Sequence, residues 1–381
     1  MKFFHLADLH IGKKVNGFSM LEDQRYIFNE ILKLAREEAP DGVLIAGDIY
    51  DRPVPPEGAL LLFDGFLKEL SELGIRVFII SGNHDSEERL AFGRNLMEKS
   101  RVHISPAYDG HIEKVVLEDK YGKIALHMIP YLKPQQVRRW LFSDREGDYS
   151  GLTYNQAMKA VVEDMKVDSS MRNVCITHQF ITGAQVCDSE EISIGGLDNI
   201  DASVFDSFDY VALGHLHGPQ KMGRPEVRYA GTPLKYSFSE VRHRKSLTCV
   251  ELREKGNVEI RTIPLVPLRD FQEIRGSYDE ITDRNFYKDF NRENYMNITL
   301  TDTTEVYEAM GKLRTIYPNI MQLGYEMYEK AQSMETYEGT MEGEKLSPLE
   351  HIGRFFNYQN QKDMTEEQMK IVRDVAEEVW K

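Results

Sequence analysis

Five short segments carry the residue types that bind divalent metals: Asp8-Leu9-His10, Gly47-Asp48, Gly82-Asn83-His84-Asp85, Thr177-His178 and Gly214-His215-Leu216-His217. Each directly follows a stretch that reads as a β-strand, and in an open α/β sheet ligands bind outside the strand ends. In Asp8-Leu9-His10 and in His215-Leu216-His217 the outer residues are two apart. On an extended backbone both side chains of each pair project to one side, giving two chelating pairs. Asp, Asn and His without a thiolate suit Mn, Fe or Zn better than Ca or Mg. Asp8, His10, Asp48, Asn83, His178, His215 and His217 are too many ligands for one ion and suit two ions that share one of them. Asp48 is the natural bridge, because a carboxylate has two oxygens to give.

Two such ions, roughly 3.5–4 Å apart, clamp a phosphate and lower the pKa of a bound water. The leaving oxygen then needs a proton. His84 stands beside Asn83 and is placed to supply it. Asp51 or Asp85 would orient its ring, as carboxylates commonly fix a histidine tautomer. Singly, these signals are weak. A lone Asp-Leu-His is commonplace, Gly47-Asp48 reads as a turn, His178 as a satisfied core histidine, and Gly82-Asn83-His84-Asp85 as a polar turn. The information lies in their conjunction and order. His5, His103, His111, His127, His243 and His351 lack the pattern and read as structural or exposed.

Alternating strands and helices must position these pieces. Lys2 to Leu6 reads as a short strand ending at Asp8. Glu22 to Ala39 reads as a helix, with Ile27, Phe28, Ile31, Leu34 and Ala35 at helical spacing and Pro40 closing it. Val43 to Ala46 is a buried strand, Leu60 to Leu73 a second helix stopped by Gly74, and Ile75 to Ile80 the next strand. This β-α-β-α-β order implies an α/β sheet whose strands end on a common edge. Later segments are richer in strands, interrupted by a helix near Asn155 to Asp164. Pro264 to Pro267 marks a boundary. The expected division is a main domain over 1–265, a small α+β domain over 266–331, an acidic linker over 332–346 and a helical tail over 347–381. Ser347-Pro348-Leu349-Glu350 and Thr365-Glu366-Glu367-Gln368 are capping boxes that open two tail helices.

The chain has 381 residues, 41% of them hydrophobic, and no apolar run that would span a membrane. Its three cysteines, Cys175, Cys187 and Cys249, form no disulfide framework, and the N-terminus has no signal shape; both fit a reducing, cytoplasmic setting. A formal charge of −15 excludes a chain that binds nucleic acid tightly and generally by itself, since phosphate backbones attract Lys and Arg. It does not exclude a phosphate substrate, because bound cations offset carboxylates at a site. Lys13, Lys14, Arg52, Arg89 and Arg94 lie near the site loops and could touch phosphates.

The order D-x-H, GD, GNHD, H, GHxH resembles the calcineurin-like metallophosphoesterases over about residues 1–265. That resemblance implies a four-layer α-β-β-α sandwich, here followed by a small α+β capping domain and a C-terminal helical tail. A narrower likeness, to the SbcD group of Mre-type nucleases, is carried by Ala7 to Lys13, Ala46 to Asp51, Asp188 to Gly196, Leu213 to Gln220, Tyr229 to Glu240 and Pro267 to Phe271. It implies a first ion on Asp8, His10, Asp48 and His217, a second on Asp48, Asn83, His178 and His215, and manganese as cofactor. It gives His84 the catalytic proton role. It implies a DNA nuclease, with ATP-dependent 3′–5′ exonuclease action on duplexes and endonuclease action on single strands and hairpins, in DNA repair, replication and recombination. The expected partners are DNA, an SbcC-type SMC-like ATPase and a second copy of the chain within a heterotetramer, with no membrane. No G-x-x-x-x-G-K-[ST] loop is present, so ATP would bind a partner. Phe355, Phe356, Val372, Val375 and Val379 would meet that partner's helices, unless the tail folds back on its own domain. Leu9 stands where the family often has Trp, and is expected to serve as packing. Asp51-Arg52 is similar to the Asp-Arg pair of protein phosphatases, which keeps a phosphatase or cyclic-nucleotide phosphodiesterase as the alternative. A third reading, a non-catalytic scaffold, conflicts with the complete set of ligands and His84.

Overall fold

The first half runs β1 (Lys2–Leu6), α1 (Leu21–Glu38), β2 (Gly42–Ala46), α2 (Glu57–Glu72), β3 (Arg76–Ile80) and β4 (Val102–Ile104). β2 is buried along its whole length and β1 and β3 along all but their first residues, as strands covered on both faces must be. In α1, Ile27, Phe28, Ile31, Leu32 and Ala35 form the buried stripe, and Ala39, with φ 45°, ends the helix before Pro40. The chain continues with β5 (Glu113–Asp119), β6 (Gly122–Ile129), α3 (Pro134–Leu141), α4 (Tyr154–Asp164), β7 (Arg172–His178), β8 (Tyr210–Gly214), β9 (Gln220–Met222), β10 (Arg224–Tyr229), β11 (Ser246–Leu252) and β12 (Val258–Pro264).

These strands form two six-stranded sheets, ordered β12-β11-β1-β2-β3-β4 and β9-β10-β8-β7-β6-β5. β1 to β4 are parallel neighbours, as are β6, β7, β8 and β10. The sheets pack face to face through Phe3, Leu44 and Phe78 of the first and Leu126, Val174 and Tyr210 of the second. Fully burying each such side chain contributes about 1.5–3 kcal/mol. α1 and α2 pair through Phe28 and Phe66, ring centroids 4.7 Å apart, and α2 lies against β3. On the second sheet, Val137, Ala157, Met158 and Val161 of α3 and α4 cover Cys175, Val211 and Val227. The result is the α-β-β-α order. Parallel pairing puts the C-terminal ends of β1, β2 and β3 on one edge, and those of β7 and β8 on one edge of the other sheet. The metal-binding residue types follow those ends.

This computed structural model describes residues 1–143, 149–190, 198–328, 349, 352–353, 356–357 and 362–379. The expected linker over 332–346, Ser347, Pro348 and Glu350 of the first tail capping box, Phe355, and the part of the Asp188 to Gly196 stretch beyond Glu190 lie outside them. Two compact units meet between Asp270 and Phe271, against the boundary at 265 read from the sequence. The second unit holds a parallel sheet, β13 (Phe271–Gly276), β14 (Tyr295–Leu300) and β15 (Ile320–Tyr325). Helices occupy both connections, as parallel strands require. One of them, α5 (Ala309–Arg314), starts later than the periodicity suggests because Glu308 adopts φ 53°. Ile274, Met296, Ile298, Leu300, Leu313 and Ile320 form this unit's core. In the tail, α6 (Glu366–Val379) opens on a reciprocal capping box: Thr365 N–H donates to Gln368 Oε1 at 2.9 Å and Gln368 N–H to Thr365 Oγ1 at 3.3 Å. No helix among the described residues is long and apolar enough to cross a membrane.

Candidate metal centre

The strand ends converge. Asp8 and His10 follow β1, Asp48 follows β2, Asn83 and His84 follow β3, His178 ends β7, and His215 and His217 follow β8. Asp8, His10, Asp48, His178, His215 and His217 are all at most 5% exposed. Three glycines let them meet. A Cβ at Gly82 would land on the Asp48 carboxylate, one at Gly214 on the Ala46 carbonyl, and one at Gly47 on the His178 ring. Gly47 also adopts φ 85°.

The donors fall into two groups around Asp48. In one, His10 Nε2 and His217 Nε2 are 3.1 Å apart, and Asp8, His10 and His217 offer ligand atoms within 4.8 Å of one another. In the other, Asn83 Oδ1 lies 3.0 Å from His178 Nε2 and 3.0 Å from His215 Nδ1. Asp48 Oδ2 stands between them, 3.7 Å from His10 Nε2 and 3.4 Å from His178 Nε2.

Of the two chelating pairs expected from an extended backbone, Asp8 and His10 stay in one group, but His215 and His217 do not. Asp8, His10 and His215 have φ of 52°, 43° and 105°, so neither segment is extended. His215 turns to Asn83 while His217 turns to His10, and the pair divides between the two groups. The strained Asp8-Leu9-His10 turn is held from outside. The Gln24 amide donates to the carbonyls of Leu9 and His10, the Tyr236 hydroxyl donates to Leu9 O at 2.6 Å, and Leu9 itself is fully buried.

The residues fit divalent cations, as His178 shows. Its Nδ1 lies 2.8 Å from the Ala46 carbonyl, which only accepts, so Nδ1 carries the hydrogen. The Nε2 lone pair of the neutral ring then faces two more acceptors, Asn83 Oδ1 and Asp48 Oδ2. Three lone pairs pointing at one spot need a cation or an added proton. Burial would lower the His178 pKa, but Asp48 and Asp8 beside it push it up to about 9. The proton thereby takes the place a metal would fill. Burial raises the Asp8 pKa, and burial lowers that of His215 to about 3. Asp48 resists its own burial because His178 and His10 hold it below the usual carboxylate range.

His84 differs from the rest. It is half-buried, its main-chain N–H donates to Asp48 Oδ1 at 2.9 Å, and its Nε2 lies 3.9 Å from Asp48 Oδ2. Its Nδ1 is 3.2 Å from the main-chain carbonyl of Asp51. The expectation that the Asp51 or Asp85 carboxylate orients this ring changes accordingly. The Asp51 carboxylate pairs with Lys13 Nζ at 2.7 Å. Asp85 instead ties the loops together, accepting the main-chain N–H groups of Ile49, Tyr50 and Gly82 at 3.0–3.1 Å. Burial and the nearby Asp48 raise its pKa to about 6. Of the basic residues singled out, Arg94 pairs with Glu113, and Arg52 is 76% exposed with its Nε 3.7 Å from Asp51.

The model of the calcineurin-like phosphoesterase family matches residues 1–219. The chain belongs to this family. A second family model, described as the Type 5 capsule protein repressor C-terminal domain, matches residues 267–360. The chain is 33% identical over 342 residues to the SbcD component of the nuclease SbcCD of Staphylococcus epidermidis, an alignment covering 89% of each protein. A dimetal phosphatase from Danio rerio, among the solved structures, is 12% identical, covers 70% of this chain and 99% of its own, and has a TM-score of 0.40. As a member of this family the chain is a metal-dependent phosphoesterase.

Several site residues escaped the motif reading. Gln24, Tyr236, Ser189, Glu190, Glu240 and Lys245 hold ligands or their loops without being ligands of the expected set. Glu240 is fully buried; Lys245 and Tyr236 N–H bind it. The signal for four of them, Ser189, Glu190, Tyr236 and Glu240, was present in the Asp188 to Gly196 and Tyr229 to Glu240 stretches, which are longer than metal binding requires.

Proposed function

We propose that the chain is the nuclease component of an SbcCD-type complex and hydrolyses DNA phosphodiester bonds at a pair of divalent cations. Asp8, His10, Asp48 and His217 hold the first cation, and Asp48, Asn83, His178 and His215 the second, with manganese as the native ion. The observation that carries this reading is the position of Asp48 Oδ2, within 3.7 Å of a histidine from each donor group. When bound, the ions supply Lewis-acid clamping of the phosphate and an activated water.

The chain's own residues do the rest. Asp48 fixes His84 through its main-chain N–H, and the Asp51 carbonyl fixes the hydrogen on Nδ1. With Nδ1–H committed to that carbonyl, the doubly protonated ring delivers its second proton, the one on Nε2, to the leaving oxygen and is left neutral. Arg52, exposed beside Asp51, meets the DNA phosphates.

The likeness to the staphylococcal nuclease component supports DNA as substrate over a phosphoprotein or cyclic nucleotide. ATP-dependent exonuclease action on duplexes would need an SbcC-type ATPase. Ile371 and Val375 on α6 are exposed apolar positions suited to its helices. Leu60, Leu61, Phe92 and Leu96 are exposed in the first unit and suit a second copy of the chain. The free cysteines fit a reducing, cytoplasmic setting.

The test is cleavage by the purified chain in manganese, with and without the partner ATPase and ATP. Substrates are single-stranded circles, linear duplexes and a generic phosphate ester. Cutting of DNA, with duplex digestion requiring the partner and ATP, is expected. Hydrolysis of the generic ester alone would replace the nuclease reading with a phosphatase.

A further inference from the structure

The histidines of the two donor groups are oriented by different means. His178 uses a main-chain carbonyl, Ala46 O at 2.8 Å. His217 uses a side chain on a separate loop. Its Nδ1 lies 2.7 Å from Ser189 Oγ.

The direction of that bond can be fixed. Ser189 Oγ also lies 2.6 Å from Glu240 Oε1. An ionised carboxylate only accepts, so the single hydroxyl hydrogen of Ser189 goes to Glu240. The serine oxygen must then accept from His217, which places the ring hydrogen on Nδ1. Nε2, 3.1 Å from His10 Nε2, is left with its lone pair directed into the first donor group. Glu240 is held for this task. Its Oε2 accepts from Lys245 Nζ, and its Oε1 also accepts from Tyr236 N–H at 3.1 Å. Lys245 in turn donates to His217 O at 2.8 Å and to Thr232 Oγ1 at 2.6 Å. The serine's own loop is tied to the same region. Glu190 Oε1 accepts the main-chain N–H of His217, and Asp188 N–H donates to Ser239 Oγ at 3.1 Å.

We infer that Ser189, backed by Glu240, is the positioning residue that sets the tautomer of His217 and so the affinity of one cation only, the one held with Asp8 and His10. This rests on the two-cation reading above. Partners of this kind tune metal affinity by about 10–100-fold.

The experiment titrates the full chain with manganese and follows free ion by electron paramagnetic resonance. Wild type, Ser189→Ala and Ser189→Thr are compared, with melting in EDTA as the folding control. Wild type is expected to bind two ions. Ser189→Ala should weaken one of them by about 10–100-fold and leave the other unchanged, and Ser189→Thr, which keeps the hydroxyl, should restore it. Nitrogen-15 shifts of the metal-free chain give a second readout: Nδ1–H on His217 in wild type, and a mixture of tautomers in Ser189→Ala. Unchanged affinities with an unchanged tautomer, or equal weakening of both ions, would overturn the inference. A wild type that binds fewer than two ions would instead defeat the two-cation reading itself.

Discussion

His10 Nε2 and His217 Nε2 stand 3.1 Å apart, although 207 residues separate them in the chain. Ser189 and Glu240 place the His217 hydrogen on Nδ1, so its Nε2 lone pair points at the His10 ring. His10 Nδ1, on the far side of its ring, has no hydrogen-bond partner among the described residues and lies 4.0 Å from Asp51 Oδ1. A cation between the two Nε2 atoms would let His10 carry its hydrogen on Nδ1, facing that carboxylate.

Ligand substitutions should therefore differ in ion count. Asp48→Ala removes the residue next to both groups and should abolish binding of both ions. His217→Ala should lose one. Metal analysis after dialysis against limiting manganese distinguishes the two. Equal stoichiometry in both variants would contradict the bridging position of Asp48.

His84→Ala should keep both ions and lose cleavage. Its imidazole lies beside the first donor group, near His10 and with Nε2 3.9 Å from Asp48 Oδ2, but is assigned the acid's role rather than a ligand's, and general acid catalysis contributes roughly 10²–10⁴-fold. Ion stoichiometry and single-turnover rates on one preparation check this. Loss of an ion would make His84 a ligand instead.

Asp85→Ala should unfold more readily. The substitution strips three main-chain N–H groups, on Ile49, Tyr50 and Gly82, of their shared acceptor. Leaving such donors unmet costs about 1–3 kcal/mol each where water cannot reach them. The expected sum is a few kcal/mol, read as a lower denaturant midpoint at unchanged slope in the metal-free chain.

His5 gives the fold a pH dependence that is independent of metal. It is fully buried, bonded to the Tyr210 hydroxyl at 2.9 Å and to Leu213 O at 3.2 Å, and burial lowers its pKa from 6.5 to about 3. In the unfolded chain it takes up a proton as pH falls below its ordinary value, whereas the folded chain resists. Its share of stability is thus present above pH 6.5 and is lost progressively toward about 3. His5→Gln should flatten the acid limb by up to one proton, about 1.4 kcal/mol per pH unit. Urea melts of the metal-free chain between neutral and mildly acidic pH provide the comparison. Parallel acid limbs would show that His5 does not titrate in this way.

Strand ends were legible because hydrophobic runs, glycines and metal-binding residue types coincide there, as in Leu44-Ile45-Ala46-Gly47-Asp48. The four-layer fold followed from the resemblance those pieces carry. What the sequence hid was conformation. Alternation in His215-Leu216-His217 suggests one shared face, but a φ of 105° at His215 sends the two rings to different groups. It also hid contacts remote in the chain. Nothing local marks Gln24, in an amphipathic helix, as the residue that holds the Leu9 and His10 carbonyls. α3 was missed because Pro134, which opens it, reads equally well as a loop residue. β13 and β15 alternate too weakly to stand out, since Gln272, Glu273, Arg275 and Gln322 interrupt their apolar positions.

The central claim is a single dinuclear site bridged by Asp48. Anomalous diffraction at the manganese edge from crystals grown with the ion tests it most directly. Two peaks roughly 3.5–4 Å apart are expected, with Asp48 contacting both, His10 and His217 on one side and His178 and His215 on the other. One peak alone, or peaks away from Asp48, would contradict the account.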